Sequence, residues 1–244
     1  MANLYFVSEP ITAATTRIEL TGDEARHAVQ VARTRAGDVV EVSDGTGQRA
    51  EAMVLSADKS SVVCSIDTVR IDPEPAMRFV LAQALAKGDR DELAIQTATE
   101  LGLDRVVPWQ ADRSVSRWSV DKVAKGVTRW ESIVREASKQ SMRSRIPGVS
   151  QPVTTDKLCA VDDDVAWIVL DPRSTTTLSR WFRDAGSPTA IGIVVGPEGG
   201  ITDEEIDVLS STGATAVRLD GPILRTSTAG PAAMAALLAL GGVW

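Results

Sequence analysis

The feature that most constrains the fold of this chain is an alternation of short apolar strands and amphipathic helices, which begins near residue 78 and continues to the C-terminus. Strand-like runs such as RFVLAQAL, VAWIVLD and TAIGIVV are each followed by a helical pattern. A strand, a helix and a further strand in succession favour parallel pairing with helices on both faces. The pattern therefore predicts an α/β fold with a parallel sheet.

The N-terminal part has a different rhythm. The run DVVEVSDGTGQRAEAMVLSAD contains two β-rich segments around DGTG, which predicts a hairpin, and SSVVCSIDTVRI predicts a further strand. The stretch TGDEARHAVQVARTRAGD reads as an amphipathic helix that ends in a basic turn. The segment DPEPAM at 72–77 has two prolines and two acidic residues, as linkers often do. We therefore expect a small β-rich domain at 1–72 and an α/β domain at 73–244.

Several classes of protein are disfavoured by simple counts. No run of about 18 apolar residues is present, and the start MANLYFVSEP lacks the basic and apolar regions of a secretory signal. Cys64 and Cys159 fit no metal spacing, and His27 is the single histidine of the sequence. We therefore expect a cytoplasmic protein with no membrane partner, no metal and no Ser-His-Asp triad.

Charge is unevenly distributed along the chain. The formal net charge is −7, yet residues 113–145 carry nine basic and three acidic side chains, a net of +6. Such an asymmetry creates a local field that can attract a polyanion whatever the total charge. A nucleic-acid partner is therefore compatible with this acidic protein.

A second constraint is the segment IGIVVGPEGGITDEE at 191–205, in which a buried strand runs into glycine and proline residues around Glu198. Thr202 and Glu205 have the spacing of a capping box, which predicts a helix start just after the glycines. Glycine lets backbone approach a ligand closely, and free N–H groups at a helix start favour an anion or a hydrogen-bonding ring. Tight strand-to-helix turns alone are the alternative interpretation.

Two further strand ends belong with this segment. They are VLDPR at 169–173 and LDGPILRTSTAG at 219–230. In open α/β sheets, ligands bind outside the carboxyl ends of the strands. We therefore expect the three segments to form one binding site.

The ordered pair GPEGG and LRTSTA resembles the RsmE-type ribosomal RNA methyltransferases of the SPOUT superfamily. RHAVQVARTRAGD resembles the helix and basic turn of that family's PUA-like RNA-binding module. AKGDRDELAIQTATELG and REASKQSMRSRIP resemble its strand–helix and basic-helix signatures. The resemblance therefore covers nearly the whole chain.

This resemblance implies a SPOUT-type C-terminal domain with a parallel sheet and a deep trefoil knot, and a small PUA-like β-barrel domain before it. It implies a homodimer that methylates N3 of a uracil in 16S ribosomal RNA of the small subunit. The final apolar helix would lie at the dimer interface, although a plain core helix fits its composition as well. S-adenosylmethionine would bind in the knot, and its expected contacts are Leu170, Asp171, Gly196, Pro197, Glu198, Gly199, Gly200, Leu219, Gly221, Ile223, Leu224, Thr226 and Ser227.

Arg225 is the candidate catalytic residue. Methyl transfer to uracil N3 requires loss of a proton, and the guanidinium could stabilise the charge that develops on the ring oxygens; an arginine paired with an acid at a helix start is the alternative. Glu198 could receive a proton or instead cap a helix N-terminus. Ser227 stands where many relatives carry glutamate, so the catalytic base is unassigned.

Basic residues provide a predicted RNA-binding surface, because they neutralise phosphates. Trp109, Trp118 and Trp130 lie within or beside the basic stretch and could stack on bases or belong to the core. The expected RNA contacts are Arg33, Arg35, Arg113, Arg117, Arg135, Lys139, Arg143 and Arg145.

Three other functions are alternatives to this one. A SPOUT enzyme could modify another RNA position or a ribose 2′-oxygen, and a chain with a decayed donor site could act as a non-catalytic RNA-binding factor. A nucleotide-dependent oxidoreductase is disfavoured because no G-x-G-x-x-G follows the early strand.

Overall fold

The structure is a computed structural model that describes residues 3–159 and 164–244. The chain divides into two compact units. The N-terminal unit contains residues 1–74 together with 138–146, and the C-terminal unit contains 75–137 and 147–244. The domain bounds 1–72 and 73–244 stay a prediction.

The N-terminal unit contains one five-stranded sheet with the spatial order β1-β3-β4-β5-β2. Its strands are β1 (Leu4–Phe6), β2 (Arg17–Thr21), β3 (Val39–Ser43), β4 (Gln48–Ala57) and β5 (Ser61–Ile71). The predicted hairpin is confirmed, since β3 and β4 pair antiparallel with Val39 opposite Met53. Alternate residues of β4 and β5 are buried over a core that includes Tyr5 and Leu20.

The predicted N-terminal helix is shorter than its sequence pattern. Helix α1 (Gly22–Arg26) runs into one π-helical turn at His27–Val31. His27 packs edge-on against Tyr5, with 6.0 Å between the ring centroids. Arg33 follows the turn with a φ of 58°, a left-handed conformation that ends the helix.

The C-terminal unit is a six-stranded sheet in the order β11-β9-β10-β6-β7-β8. The strands are β6 (Arg78–Ala84), β7 (Arg105–Trp109), β8 (Gly148–Val149), β9 (Ala166–Leu170), β10 (Ala190–Val195) and β11 (Thr215–Val217). Every pairing in this sheet is parallel, so the predicted parallel α/β sheet is confirmed.

The helices of this unit follow the strands as the alternation predicts. They are α2 (Arg90–Glu100), α3 (Val120–Gln140, whose last three residues belong to the N-terminal unit), α4 (Leu178–Asp184), α5 (Asp203–Ser211) and α6 (Thr226–Leu240), and a 3-10 turn lies at Thr155–Lys157. None of the helices in the described part of the chain has the length and apolar character needed to cross a bilayer.

Strand β10 lies between β9 and β6, and all six of its residues are buried. Gly192 sits in its middle because a Cβ there would fall 2.3 Å from Trp167 Cε3 on the neighbouring strand. Because β11, β9 and β10 are neighbours in a parallel sheet, their carboxyl ends are adjacent at one edge of it. The three loops that follow these strands meet there.

Candidate active site

The loops after β9, β10 and β11 enclose a cavity of about 810 Å³, to which the starts of α2 and α6 also contribute. Its volume lies in the range of roughly 300–1,000 Å³ that is typical of ligand pockets. The cavity stands at the carboxyl ends of parallel strands, where ligands bind in open α/β sheets.

Most of the predicted cofactor contacts line this cavity. They are Leu170, Asp171, Gly196, Pro197, Glu198, Gly200, Leu219, Gly221, Ile223, Leu224 and Thr226, together with Arg225. Gly199 and Ser227 do not line it. Gly199 packs against the loop after β7, and Ser227 is buried in the first turn of α6. The binding roles of all these residues stay predictions.

Thr226 connects the two motifs that the sequence singles out. Its Oγ1 donates a hydrogen bond to the carbonyl oxygen of Gly196 at 2.8 Å. The same atom accepts a hydrogen bond from Nε2 of Gln83 at 2.9 Å. Gln83 is fully buried at the end of β6, and nothing in its local pattern marked it for this role. A chain of two hydrogen bonds thus fixes the start of α6 against the glycine-rich loop.

Two glycines of that loop are required by close packing. A Cβ on Gly196 would fall 2.5 Å from Cγ1 of Ile201, and a Cβ on Gly199 would fall 3.0 Å from Cβ of Arg113. Gly200 has a φ of 76°, a left-handed conformation that residues with a side chain adopt at a cost. The loop is therefore compact, and its backbone lies directly on the cavity.

Glu198 is held by the start of α2, and Thr202 rather than Glu198 caps α5. Its Oε1 accepts hydrogen bonds from Nη1 of Arg90 at 2.8 Å and from the backbone N–H of Lys87 at 3.3 Å. Burial alone would raise the pKa of Glu198, but its own backbone N–H, Arg90 and Lys87 outweigh burial and lower that pKa below its ordinary value. The carboxylate is therefore ionised and partnered at neutral pH.

The other carboxylates of the cavity are also paired with arginines. Asp171 forms an ion pair of 3.0 Å with Arg173, and Asp220 forms one of 2.9 Å with Arg218. Hydrogen bonds to Asp171 and Asp203 raise the pKa of Arg173 above its already high ordinary value. Each acidic side chain that lines the cavity thus has an arginine partner.

Arg225 is the exception among the arginines that line the cavity. It is the N-cap residue of α6 and its side chain is exposed. Within residues 3–159 and 164–244, no hydrogen bond or ion pair of its guanidinium is found. The alternative interpretation, an arginine neutralised by an acid at the helix start, therefore does not describe this structure.

The helix that follows the glycine loop is anchored as predicted. Thr202 accepts from the backbone N–H of Glu205, and Glu205 accepts from the backbone N–H of Thr202, which confirms the capping box. Glu205 is 3% exposed and also accepts from the backbone N–H of Asp112 at 2.8 Å and from Oγ1 of Thr155 at 3.2 Å. One carboxylate therefore holds α5, the loop after β7 and the 3-10 turn together.

Two predicted RNA contacts form internal ion pairs in the N-terminal unit. Lys139 pairs with Glu24 at 3.1 Å and is almost buried. Arg145 donates to backbone oxygens of Thr46 and Asp72 and pairs with Glu74 at 2.9 Å. Both cations are therefore held by ion pairs and hydrogen bonds within the protein. Their contribution to RNA binding stays a prediction.

The remaining predicted RNA contacts are more accessible. Arg33, Arg35, Arg113 and Arg117 are exposed, and Arg135 and Arg143 are half-buried. In the C-terminal unit, Arg113 donates to the carbonyl oxygen of Gly199 and Arg117 to that of Asp112.

No group of three or more His, Cys, Asp or Glu side chains suited to a metal ion occurs within the described residues. Cys64 and Cys159 are both buried free thiols, and burial raises the pKa of Cys64 to about 11. A thiolate nucleophile at either position is therefore disfavoured.

Fold and site together define an α/β protein with a ligand-sized cavity at the carboxyl ends of a parallel sheet and with a separate small β unit. Residues 73–238 match the family described as RNA methyltransferase domain, and residues 20–67 match the RNA methyltransferase PUA domain. The chain belongs to this family of RNA methyltransferases.

Relatives with assigned names cover nearly the full chain. The chain is 38% identical over 251 residues to ribosomal RNA small subunit methyltransferase E of Mycobacterium tuberculosis, covering 100% of this chain and 94% of that protein. It is 32% identical over 225 residues to the protein of the same name from Bacillus subtilis, covering 89% and 88%.

Solved structures share the fold over the same extent. Ribosomal RNA small subunit methyltransferase E from Neisseria gonorrhoeae, bound to S-adenosyl methionine, has a TM-score of 0.88 at 27% identity and covers 98% of each chain. A putative methyltransferase from Legionella pneumophila in complex with the same cofactor has a TM-score of 0.87 at 28% identity, also with 98% of each chain covered.

Proposed function

We propose that this protein is an S-adenosylmethionine-dependent methyltransferase that modifies N3 of a uracil in 16S ribosomal RNA of the small subunit. The observation that carries the proposal is the unpaired guanidinium of Arg225 on a ligand-sized cavity. The carboxylates of that cavity and its two other arginines are paired with each other or with neighbouring charges. The names and bound cofactor of the relatives support it.

The residues present fit S-adenosylmethionine. The cavity is lined by Gly196, Pro197, Glu198 and Gly200 of the glycine loop and by residues 218–226, and a Cβ at Gly221 would meet no atom within 4 Å. Main-chain groups can approach a flat adenine edge that side chains would crowd out. When bound, the cofactor supplies an electrophilic methyl group on a sulfonium. The loop at 196–200 and the segment at 219–226 would hold it.

Uracil N3 carries a proton, so methyl transfer breaks the sulfur–methyl bond, forms the N3–methyl bond and releases that proton. Negative charge develops on the two ring carbonyl oxygens as the proton leaves. Arg225 is the cation that is free to stabilise this charge, because its donors are not committed to an acid.

The proton passes to solvent in this scheme. Ser227 is buried in the first turn of α6, and a hydroxyl is a poor base. The Arg90 pair contributes to the lowered pKa of Glu198, so that carboxylate is a weak proton acceptor. Glu198 instead positions the glycine loop against α2.

The assembly of the protein belongs to the same proposal. We propose a cytoplasmic homodimer of chains with domains at 1–72 and 73–244, in which the C-terminal segment forms a deep trefoil knot. Exposed apolar residues after α6 support a partner surface, since Val243 is 44% and Trp244 67% exposed. Light scattering of the purified protein would contradict the dimer by returning the mass of one chain.

The decisive experiment is mass spectrometry of ribosomal RNA from cells that lack the gene. The proposal requires that an N3-methyluridine disappears from 16S RNA, that the wild-type gene restores it and that Arg225→Gln does not. An unchanged RNA would reject the proposed target, whereas loss of a different modified nucleotide would favour another position or a ribose 2′-oxygen. Calorimetry with S-adenosylmethionine, and competition by S-adenosylhomocysteine, would separate an enzyme from an RNA-binding factor that has lost the donor site.

A further inference from the structure

A second cavity, with a volume of about 390 Å³, lies in the C-terminal unit between the first turn of α2 and the first half of α3. Trp118 and Trp130 both line it, and Trp118 is half-exposed. The two other tryptophans of the basic stretch are in the core, since Trp109 is 0% and Trp130 1% exposed. Trp118 is therefore the tryptophan of the three whose ring remains accessible to a ligand.

The indole of Trp118 is fixed before any ligand arrives. It packs edge-to-face against Trp130, with 5.2 Å between the ring centroids and an interplanar angle of 74°. Gly126 of α3 leaves the space that the ring needs, because a Cβ there would fall 2.5 Å from Cε2 of Trp118. A ring held in this way loses little conformational entropy when it binds.

Two lysines at the edge of the cavity are available to a ligand. Lys122 and Lys125 are exposed, lie three residues apart on α3 and therefore share one face of that helix. In the described part of the chain, no ion pair of Lys125 is found. Arg129, which also lines the cavity, is already paired, because Glu92 accepts from its Nε at 3.0 Å and from its Nη2 at 2.6 Å.

The charge of this cavity selects between classes of ligand. Its lining contains three basic and three acidic side chains, so a simple polyanion gains little net attraction there. A nucleotide gains in two ways, because its base can stack on the indole while its phosphate pairs with a lysine.

The position of the second cavity relates it to the first. Arg90 lines the large cavity, whereas Asp89 and Asp91 line the small one. The first turn of α2 thus separates the two cavities within one compact unit. An RNA strand that places one nucleotide in the first cavity can therefore place a neighbouring nucleotide in the second.

We propose that the cavity at Trp118 binds an unpaired nucleotide of the substrate RNA next to the target uracil. Its base stacks on Trp118, and its backbone phosphate lies at Lys122 and Lys125. This inference rests on the proposed function, because the target uracil is assigned to the large cavity beside Arg225.

The test uses small ribosomal subunits from cells that lack their own copy of the enzyme, with S-adenosylhomocysteine present. We expect Trp118→Ala to weaken subunit binding about 10-fold or more, as loss of one base–aromatic stack does, and Trp118→Phe to restore most of the affinity. Lys125→Ala should weaken binding and reduce the salt dependence by about one phosphate contact. Lys157→Ala, an exposed lysine that lines neither cavity, is the charge control and should bind like wild type.

A second readout does not depend on the stability of the variants. Ultraviolet cross-linking of the wild-type protein to the same subunits should yield a nucleotide attached to the peptide that contains Trp118. Wild-type affinity in Trp118→Ala, or cross-links that avoid this peptide, would overturn the inference. If Trp118→Ala loses affinity while the wild-type protein methylates nothing, the nucleotide site stands and the proposed reaction fails. If the wild-type protein methylates the RNA and Trp118→Ala binds normally, the proposed reaction stands and the nucleotide site at Trp118 fails.

Discussion

Oγ1 of Thr226 donates a hydrogen bond of 2.8 Å to the carbonyl oxygen of Gly196, and this bond joins the start of α6 to the loop after β10. We predict that Thr226→Val, which keeps the side-chain shape, weakens S-adenosylmethionine binding by about 5- to 10-fold, because a net hydrogen bond contributes on the order of 1 kcal/mol. Thr226→Ser keeps the hydroxyl and should bind nearly as wild type. Calorimetry on the three proteins checks this, and equal affinities for valine and serine variants would contradict it.

Arg225 is expected to affect the chemical step rather than cofactor binding. Removing one donor that stabilises developing charge typically costs about 10²–10³ in kcat, so Arg225→Gln should lower kcat by that order. The affinity for S-adenosylmethionine should change little. Arg183→Gln, at the penultimate residue of α4 and outside the cavity lining, is the matched control. A variant with normal kcat would remove Arg225 from the mechanism.

The ion pair between Arg90 and Glu198 predicts a pH dependence. The pKa of Glu198 is lowered in the folded protein, so its contribution to stability is complete above the ordinary carboxyl pKa and is lost as the pH falls through the lowered value. In Arg90→Met, burial remains without the cation, so the pKa of Glu198 should rise toward or above its ordinary value, and the stability lost between pH 7 and pH 3 should be smaller than in wild type. Thermal unfolding of both proteins between pH 3 and pH 7, with Arg180→Met as the exposed-pair control, measures the difference.

Local signals in the sequence account for much of this structure. The hairpin predicted around DGTG forms between β3 and β4. The capping box of Thr202 and Glu205 forms as predicted. Both depend on residues a few positions apart, so their patterns are visible in the sequence itself.

Contacts between distant positions could not be predicted in the same way. Gln83 bonds to Thr226 across 143 positions, and Arg90 bonds to Glu198 across 108. Their partners are set by the strand order, in which β10 inserts between β9 and β6. Residues that are neighbours in the sequence contain no signal for this spatial order of the strands. Likewise, only packing distinguishes the accessible Trp118 from the buried Trp130.

The glycine requirement at position 196 gives a test of the cavity wall. In Gly196→Ala, the new Cβ would fall 2.5 Å from Cγ1 of Ile201, so the loop or that side chain must move. Overpacking of this kind costs about 1–3 kcal/mol, and the shifted loop should also bind S-adenosylmethionine more weakly. Gly148→Ala is a matched control, because the nearest atom to its Cβ is 3.8 Å away and its φ is not positive. Equal urea midpoints for the two variants would show that the loop tolerates a side chain.

Glu205 provides a prediction about stability that is separate from catalysis. Its carboxylate accepts hydrogen bonds from the backbone of Thr202 and Asp112 and from the hydroxyl of Thr155. Glu205→Ala leaves these donors without their acceptor at a site that is 3% exposed, and each unsatisfied buried donor costs about 1–3 kcal/mol. We therefore expect the free energy of unfolding to fall by at least about 2 kcal/mol. Glu204→Ala, an exposed acid in the same helical turn, should change it by less than about 0.5 kcal/mol. Urea unfolding followed by circular dichroism measures both, and similar losses for the two variants would mean that the carboxylate stabilises α5 through its charge rather than through these bonds.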